Sequence, residues 1–344
     1  MDYLENIHQE MIKKEVKITT ILFSGLITSY SKCLQIKKAI ELFQKALENN
    51  QIDGMSYNAM ISACAEEKGY FDEGIKVIQL MKDKKLPFDP YTWSSVISLC
   101  GINGQIYYLK KFHSEIPIGT EMNEYLYCEL ILAYSQCGSY ENSILLFEQM
   151  PENLKSPIVW NLMLYVYSNF RKVNEAIKTF NEMEKMEIID EISITCMLHT
   201  FSHVLFVEDA LQLFQTMEKR FGIVPCEQHQ CILIDALGRS GNLDMAEKFA
   251  NMYPSFISWK TLLGACRLHH DLPRAERAMK EIQNYDSKDS SSFILLANIQ
   301  AACGEWDKHS NTFKKMKELK LKKIAGKSWI NINDKIHTFY AHET

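Results

Sequence analysis

A pattern of about 34 residues recurs from Thr20 to the C-terminus, and this period constrains the fold more than any single residue does. Its clearest copies read FSGLITSYSKC…KAIELFQKAL from Phe23, YNAMISACAEE…EGIKVIQLM from Tyr57, YCELILAYSQCG…NSILLFEQM from Tyr127 and WNLMLYVYSNF…EAIKTFNEM from Trp160. Each copy holds two amphipathic helical patterns separated by a short break. One such pair cannot bury its own apolar face, so neighbours must stack on it, and a run of stacked pairs is a solenoid. In a single frame the units begin at 20, 54, 90, 124, 157, 191, 227, 256 and about 290. The expected fold is all-α, an α-solenoid superhelix of helix-turn-helix repeats of about 34 residues.

Residues 1–19 read as a partial repeat that supplies a second helix, IHQEMIKKEV, and 20–255 as seven repeats. Residues 256–323 follow as two further helix pairs, and 324–344 stand apart. With 14 Gly, 8 Pro and no low-complexity stretch, no interior linker is expected. A hydrophobic content of 47% suffices for a core, yet no apolar run approaches a membrane span. The opening MDYLENIHQEMIKK carries three acidic residues and no Arg, so no targeting segment is visible in this chain. None of the ten cysteines forms a CxxC, and six of them (33, 64, 100, 137, 266 and 303) fall on the eleventh or fourteenth residue of a unit. That spacing predicts packing thiols in a reducing compartment rather than a metal or disulfide framework. The net charge of −5 argues against indiscriminate nucleic-acid adhesion. It is uneven, however: residues 301–344 hold nine Lys against five acidic residues, so only a localised groove or the tail could attract phosphate.

The quoted units, with their YSKC and YSQCG turns and FxxM helix ends, resemble pentatricopeptide repeats. Unit lengths of 34, 36, 34, 33, 34, 36 and 29 resemble the mixed long and short repeats of that family's organellar editing-factor branch. The run from FGIVPCEQHQCILIDALGRSGNLDMAEKFANM through WKTLLGACRLHHDLPRAERAMKEI to the end resembles the terminal repeats and extension motifs of plant-type editing factors. In that light 324–344 is the truncated entry to a deaminase-type domain, although Ile324-Ala325 stands where the family has Glu-Pro. Tetratricopeptide repeats share the period, but their W-x₂-L-G-x₂-Y signature is absent.

What the resemblance implies is single-stranded RNA binding at one base per unit. It assigns base stacking to the second residue of each unit, here Ile21, Met55, Tyr91, Tyr125, Ile158, Ile192 and Gln228, six of them apolar or aromatic. Base choice falls to the fifth and last residues together: Ser24/Asp53, Asn58/Asp89, Ser94/Asn123, Cys128/Ser156, Asn161/Asp190, Thr195/Cys226 and Cys231/Ser255. Asn carries both a donor and an acceptor for a pyrimidine's pairing edge, whereas Ser and Thr offer one hydroxyl. Family usage makes Asn/Asp a uracil reader, Ser/Asp a guanine reader and Ser/Asn an adenine reader, with Thr195 leaning to purine. The two Cys-led pairs depart from that pattern. The implied footprint is 5′-G-U-A-N-U-R-N-3′, and the competing reading is that these Asn and Asp residues are helix caps.

No enzyme is expected within this chain. His113-Ser114-Glu115 matches the H-x-E of zinc deaminases, but it lies in an ordinary second helix, and Pro225-Cys226 lacks a Cys three residues on. His199 and His203 are spaced as helix-borne metal ligands without a third, so no metal and no cofactor is expected. His269-His270-Asp271 falls at a helix break with no nucleophile nearby in sequence. A deaminase could follow in a longer product or act in trans with other editing proteins. Neither membrane nor small-molecule substrate is implied, and the family's usual home is the mitochondrion or plastid. The alternative function is a scaffold that binds a peptide on its concave face, as the acidic balance before residue 301 favours.

Overall fold

The computed structural model describes residues 2–14, 19–33, 35–49, 52–67, 69–117, 119–120 and 122–321, and the backbone of 327–332 and 335–340. Helix α1 is Asp2–Lys13. Helix pairs follow as α2 (Thr20–Lys32) with α3 (Ile36–Glu48), α4 (Gly54–Glu66) with α5 (Phe71–Asp83), and α6 (Pro90–Ile102) with α7 (Ile106–Glu115). Next come α8 (Glu124–Gln136) with α9 (Tyr140–Gln149), α10 (Pro157–Asn169) with α11 (Val173–Lys185), and α12 (Glu191–Val204) with α13 (Val207–Phe221). The last pairs are α14 (Glu227–Arg239) with α15 (Leu243–Met252), α16 (Phe256–His269) with α17 (Leu272–Tyr285), and α18 (Ser290–Ala302) with α19 (Trp306–Glu318). Two strands, β1 (Lys327–Ile332) and β2 (Lys335–Tyr340), pair in a two-stranded sheet. The helical-repeat fold implied by the period is the fold found, and the strand pair is an addition to it. Residues 324–326 of the expected entry segment, Ile324-Ala325 among them, lie outside the described residues, as do 15–18 of the partial repeat.

Two compact units divide the chain, Met1–Val159 and Trp160–Ile332. Within the first, each leading helix packs on its partner and on the next leading helix, α2 on α4, α4 on α6 and α6 on α8. Within the second, α12, α14, α16 and α18 do the same. Leading helices are thus packed on several sides, and small residues let their backbones approach. A Cβ on Gly101 would lie 2.7 Å from Ala133, and one on Gly238 would lie 2.4 Å from the Ala265 Cβ. The trailing helices keep a single apolar stripe, such as Ala39, Leu42, Phe43 and Ala46 of α3.

The break between most partners is the same local device. The amide after the turn donates to a carbonyl five residues back, as in Gln105 to Cys100 at 2.8 Å, Ser139 to Tyr134 at 2.8 Å and Asn242 to Leu237 at 3.0 Å. Gly104 and Gly138 take the positive φ this closure demands, while Arg171, Leu205 and His270 adopt it without glycine's freedom. Asp72 and Glu73 lie in the first turn of α5 and Glu175 in that of α11, where carboxylates complement the helix dipole. Cys64, Cys100 and Cys266 are buried packing thiols, and burial pushes Cys64 and Cys266 up to about 12. Cys33 and Cys137 are half-buried, and Cys303 is exposed, so the expectation of buried thiols fails at the last unit. The reason is that Cys303 lies at the C-cap of α18, its Sγ reaching the His270 carbonyl oxygen at 3.4 Å.

Candidate nucleic-acid interface

The second residue of each leading helix lies out in solvent. In the first unit Ile21, Met55, Tyr91, Tyr125 and Ile158 are each more than half exposed, from 53% to 71%. In the second unit Ile192, Ile257 and the polar Gln228 are exposed at the same register. Large apolar side chains scattered singly on a surface are ordinary, but their recurrence at one register is not. Tyr91 and Tyr125, one unit apart, hold their rings 6.4 Å between centroids, which makes an aromatic shelf. Burial and the coulombic field of Glu129 raise the Tyr125 phenol, so it remains a neutral ring face.

In several units the last residue caps the leading helix of the next. Asp53 accepts from the Ser56 amide at 3.0 Å and its hydroxyl at 2.9 Å, and Asp89 from the Thr92 amide at 2.7 Å and its hydroxyl at 2.9 Å. Asn123 accepts from Leu126 and Ser255 from Ser258. Burial of Asp53 works against its charge, but the hydrogen bonds from Ser56 and Thr20 prevail and lower its pKa. Capping and base reading are competing roles for these residues. Capping is fulfilled, and it leaves a second carboxylate oxygen at Asp89 outside the bonds to Thr92.

The fifth residues sit beside those caps in differing states. Asn161 is 5% exposed. Its Nδ2 donates to both carboxylate oxygens of Asp190, at 3.0 and 2.9 Å, and its Oδ1 accepts from the Ser193 hydroxyl at 2.6 Å. Its pairing edge is therefore engaged by protein. Asn58 is half-buried, and its Oδ1 is buried without a hydrogen-bond partner. Ser94, at 2% exposed, likewise has a buried Oγ with no partner. Ser24 donates to the Thr20 carbonyl at 3.0 Å and lies 3.3 Å from the Ser56 hydroxyl. Thr195 donates to the Glu191 carbonyl at 2.8 Å, and its Oγ1 lies 3.0 Å from Nε2 of His229. Of the Cys-led pairs, Cys128 is half-buried with its thiol pushed up to about 11 by burial, while Cys231 lies 3.7 Å from the Ser258 hydroxyl. Ser156 turns to Glu124 rather than to Cys128.

Residues that sequence reasoning missed are the third positions: Ser56, Ser193 and Ser258 tie cap and fifth residue together, while Thr92 bonds its cap alone. Their signal was an acid or hydroxyl followed three residues on by a hydroxyl, a capping-box spacing. Also missed was the fifth/last pair of the unit at 256, Lys260 and Asp289, an ion pair at 3.1 Å. His113 of the H-x-E match has Nδ1 2.9 Å from the Tyr134 hydroxyl, and Glu115 pairs with Lys82, so both side chains hold trailing helices in place. Burial lowers the His113 pKa. His199 and His203 stack their rings 6.0 Å apart, and no third ligating atom joins them among the described residues.

Stacked helix pairs with an exposed apolar column beside a buried polar seam define a helical-repeat solenoid. Residues 21–50, 55–86, 125–153, 158–188 and 231–251 match the PPR repeat, and residues 269–331 match the E motif. The chain is a pentatricopeptide-repeat protein with an E motif. It is 31% identical, over 93% of its length, to a putative pentatricopeptide repeat-containing protein of Arabidopsis thaliana, and covers 39% of that relative. It is 28% identical to a mitochondrial and to a chloroplastic pentatricopeptide repeat-containing protein of the same plant, covering 44% and 39% of each. The chain thus spans less than half the length of these relatives. Among solved structures, the pentatricopeptide repeat protein PPR10 from maize is 14% identical over 92% of this chain and 46% of that one, with a TM-score of 0.62. PPR10 in complex with an 18-nt psaJ RNA element gives 0.67 over 92% of this chain and 48% of that one at 13% identity. At that identity the likeness is one of fold. Among the described residues, no helix is long and apolar enough to cross a membrane.

Proposed function

We propose that this chain binds single-stranded RNA sequence-specifically, one base per helix pair, and serves organellar RNA processing, C-to-U editing included, as a targeting subunit. The observation that carries this reading is the exposed apolar second residue, repeated at Ile21, Met55, Tyr91, Tyr125, Ile158 and Ile192. Each supplies a face on which a base can lie, at about 1–3 kcal/mol per aromatic contact. Beside it, the pairs Ser24/Asp53, Asn58/Asp89, Ser94/Asn123, Asn161/Asp190 and Thr195/Cys226 choose the base through hydrogen bonds. The orphaned acceptors at Asn58 and Ser94 support this, since a buried oxygen without a partner is satisfied when a ligand donates to it. At Asn161 the base must displace a bond that the protein now makes. Relatives that carry mitochondrial and chloroplastic names support an organellar setting. A deaminase acting in trans, or later in a longer product, supplies the chemistry when editing occurs.

The test is equilibrium binding of the 5′-G-U-A-N-U-R-N-3′ RNA against a scrambled RNA at two salt concentrations. A specific complex prefers the first sequence, and its affinity falls with salt at a slope of roughly −0.7 per phosphate contact. Asn58→Thr shifts preference at the second position from U towards G. Equal binding of both RNAs, or an equal loss for every sequence in the variant, overturns the reading.

A further inference from the structure

At the junction of the units beginning at 191 and 227, three side chains of different chemistry converge. Cys226 Sγ lies 3.1 Å from Glu191 Oε1 and 3.3 Å from His229 Nδ1, and the three ligating atoms all lie within 4.8 Å of one another. We propose that Cys226, His229 and Glu191 bind a thiophilic divalent cation of the Zn²⁺ class. This goes beyond the RNA reading and does not depend on it.

The fold brings these positions together as the first residue of one unit, its last, and the third of the next. At the equivalent first and last positions of another unit, the Ser156 hydroxyl donates to Glu124, so the approach is built into the repeat. Only here does the register supply a thiol, an imidazole and a carboxylate. In a tetrahedral site, sulfur and nitrogen at about 2.3 and 2.1 Å from Zn²⁺ stand about 3.6 Å apart, so the Cys226–His229 pair needs to open by only a few tenths of an ångström.

The imidazole is already set for the task. Thr195 spends its hydroxyl hydrogen on the Glu191 carbonyl at 2.8 Å, so its oxygen accepts from Nε2–H of His229 at 3.0 Å. That fixes the tautomer and makes Nδ1 the acceptor, which now takes the Cys226 backbone N–H at 3.2 Å, a bond that the metal replaces. An outer hydrogen bond that orients a histidine in this way is characteristic of metal ligation. His229 is fully buried, Cys226 is half-buried and Glu191 is exposed, so the fixed ligand lies inside and an ion enters from the carboxylate side. Binding breaks the S–H bond, forms the metal–sulfur bond and releases one proton to solvent. Thiolate and carboxylate then neutralise the dication, and a water completes the tetrahedron. The metal would clamp two successive units at their shared junction, beside Thr195.

The experiment uses the whole chain and Co²⁺ as the probe. Wild type is expected to bind one equivalent with a thiolate-to-cobalt charge-transfer band and tetrahedral visible bands, both displaced by Zn²⁺. Cys226→Ser abolishes the charge-transfer band while circular dichroism remains that of wild type. Thr195→Val keeps the band but weakens Co²⁺ binding about 10–100-fold, because the imidazole loses its orienting partner. The proposal is overturned if wild type shows no charge-transfer band, or if the band survives unchanged in Cys226→Ser and so belongs to another of the thiols. RNA takes no part in the assay, so its outcome is independent of the binding test above.

Discussion

Two units carry the same Asn/Asp pair and hold it in opposite states. At Asn161/Asp190 the pair is closed, with donor and acceptor both bonded within the protein. At Asn58/Asp89 the acceptor of Asn58 is buried and unmatched. The difference traces to the third residue of the following unit. Ser193 turns its hydroxyl to Asn161 at 2.6 Å as well as to Asp190 at 2.9 Å, whereas the β-branched Thr92 gives its hydroxyl to Asp89 at 2.9 Å. A two-residue code therefore rests on a three-residue seam, and identity at the fifth and last positions alone does not set how ready a pocket is.

The largest expected effect breaks the closed seam outright. Asp190→Ala removes the cap of α12 and strands the buried Asn161 amide, costing about 1 kcal/mol for the cap and about 1–3 kcal/mol for the lost buried bonds. Asp89→Ala removes a cap without stranding an amide, so about 1 kcal/mol is lost. Chemical denaturation of the two variants side by side measures the gap, and equal losses would show that the seams do not differ in energy.

Opening the seam without removing the cap gives a smaller effect on stability and a direct one on recognition. Ser193→Ala deletes the hydroxyl that occupies Asn161 Oδ1, at a cost of about 1 kcal/mol. Its uracil-over-cytosine discrimination at the fifth footprint position should rise to match the discrimination at the second, where Asn58 is already free. Competition binding with single-base RNA variants reads this, and no change in the ratio would mean that the closed state imposes no barrier.

A third seam, Ser24/Asp53, gives a pH handle on the same comparison. Hydrogen bonds lower the folded pKa of Asp53, so its charge contributes stability above the unfolded value of about 3.9. That contribution is lost as pH falls from there through the folded value. Asp53→Asn keeps a capping side chain and deletes the charge. Its stability deficit should be present at neutral pH and shrink as the solution is acidified below about pH 4, in a pH series of urea melts. A deficit that holds constant to low pH would assign the loss to geometry instead of charge.

The helical pairs were legible because every unit repeats one apolar pattern, and stacking requires nothing more of the sequence. Exposure of the second residues was legible too, since Ile21, Tyr91 and Ile192 break the polar surface rule at one register. The state of each pocket was not, because it depends on hydrogen bonds such as Ser193 to Asn161, made between residues 32 positions apart. The convergence of Glu191, Cys226 and His229 was hidden for the same reason, with its first two ligands 35 positions apart. The terminal strands carry a sequence signal of a different period. KSWINI and KIHTFY are short runs rich in β-branched and aromatic residues on either side of Asn333-Asp334, which is a hairpin pattern and falls outside the helical period.

The smallest expected effect concerns the other orphan of the open seam. Tyr57 is fully buried next to Asn58 in sequence, its ring edge-on to Phe43 at 5.3 Å, and its hydroxyl has no hydrogen-bond partner. Burying a hydroxyl without a partner costs about 1–3 kcal/mol of desolvation, so removing it returns part of that cost while the ring contact stays. Tyr57→Phe should therefore keep or raise stability, by at most about 1 kcal/mol, whereas the usual buried substitution lowers it. If a donor from RNA or from ordered water serves this hydroxyl in the bound state, the variant gains stability alone but loses affinity for the footprint RNA. Thermal melts with and without RNA separate the two. A loss of stability in the free protein would show that the open seam is less open than its unpaired oxygens imply.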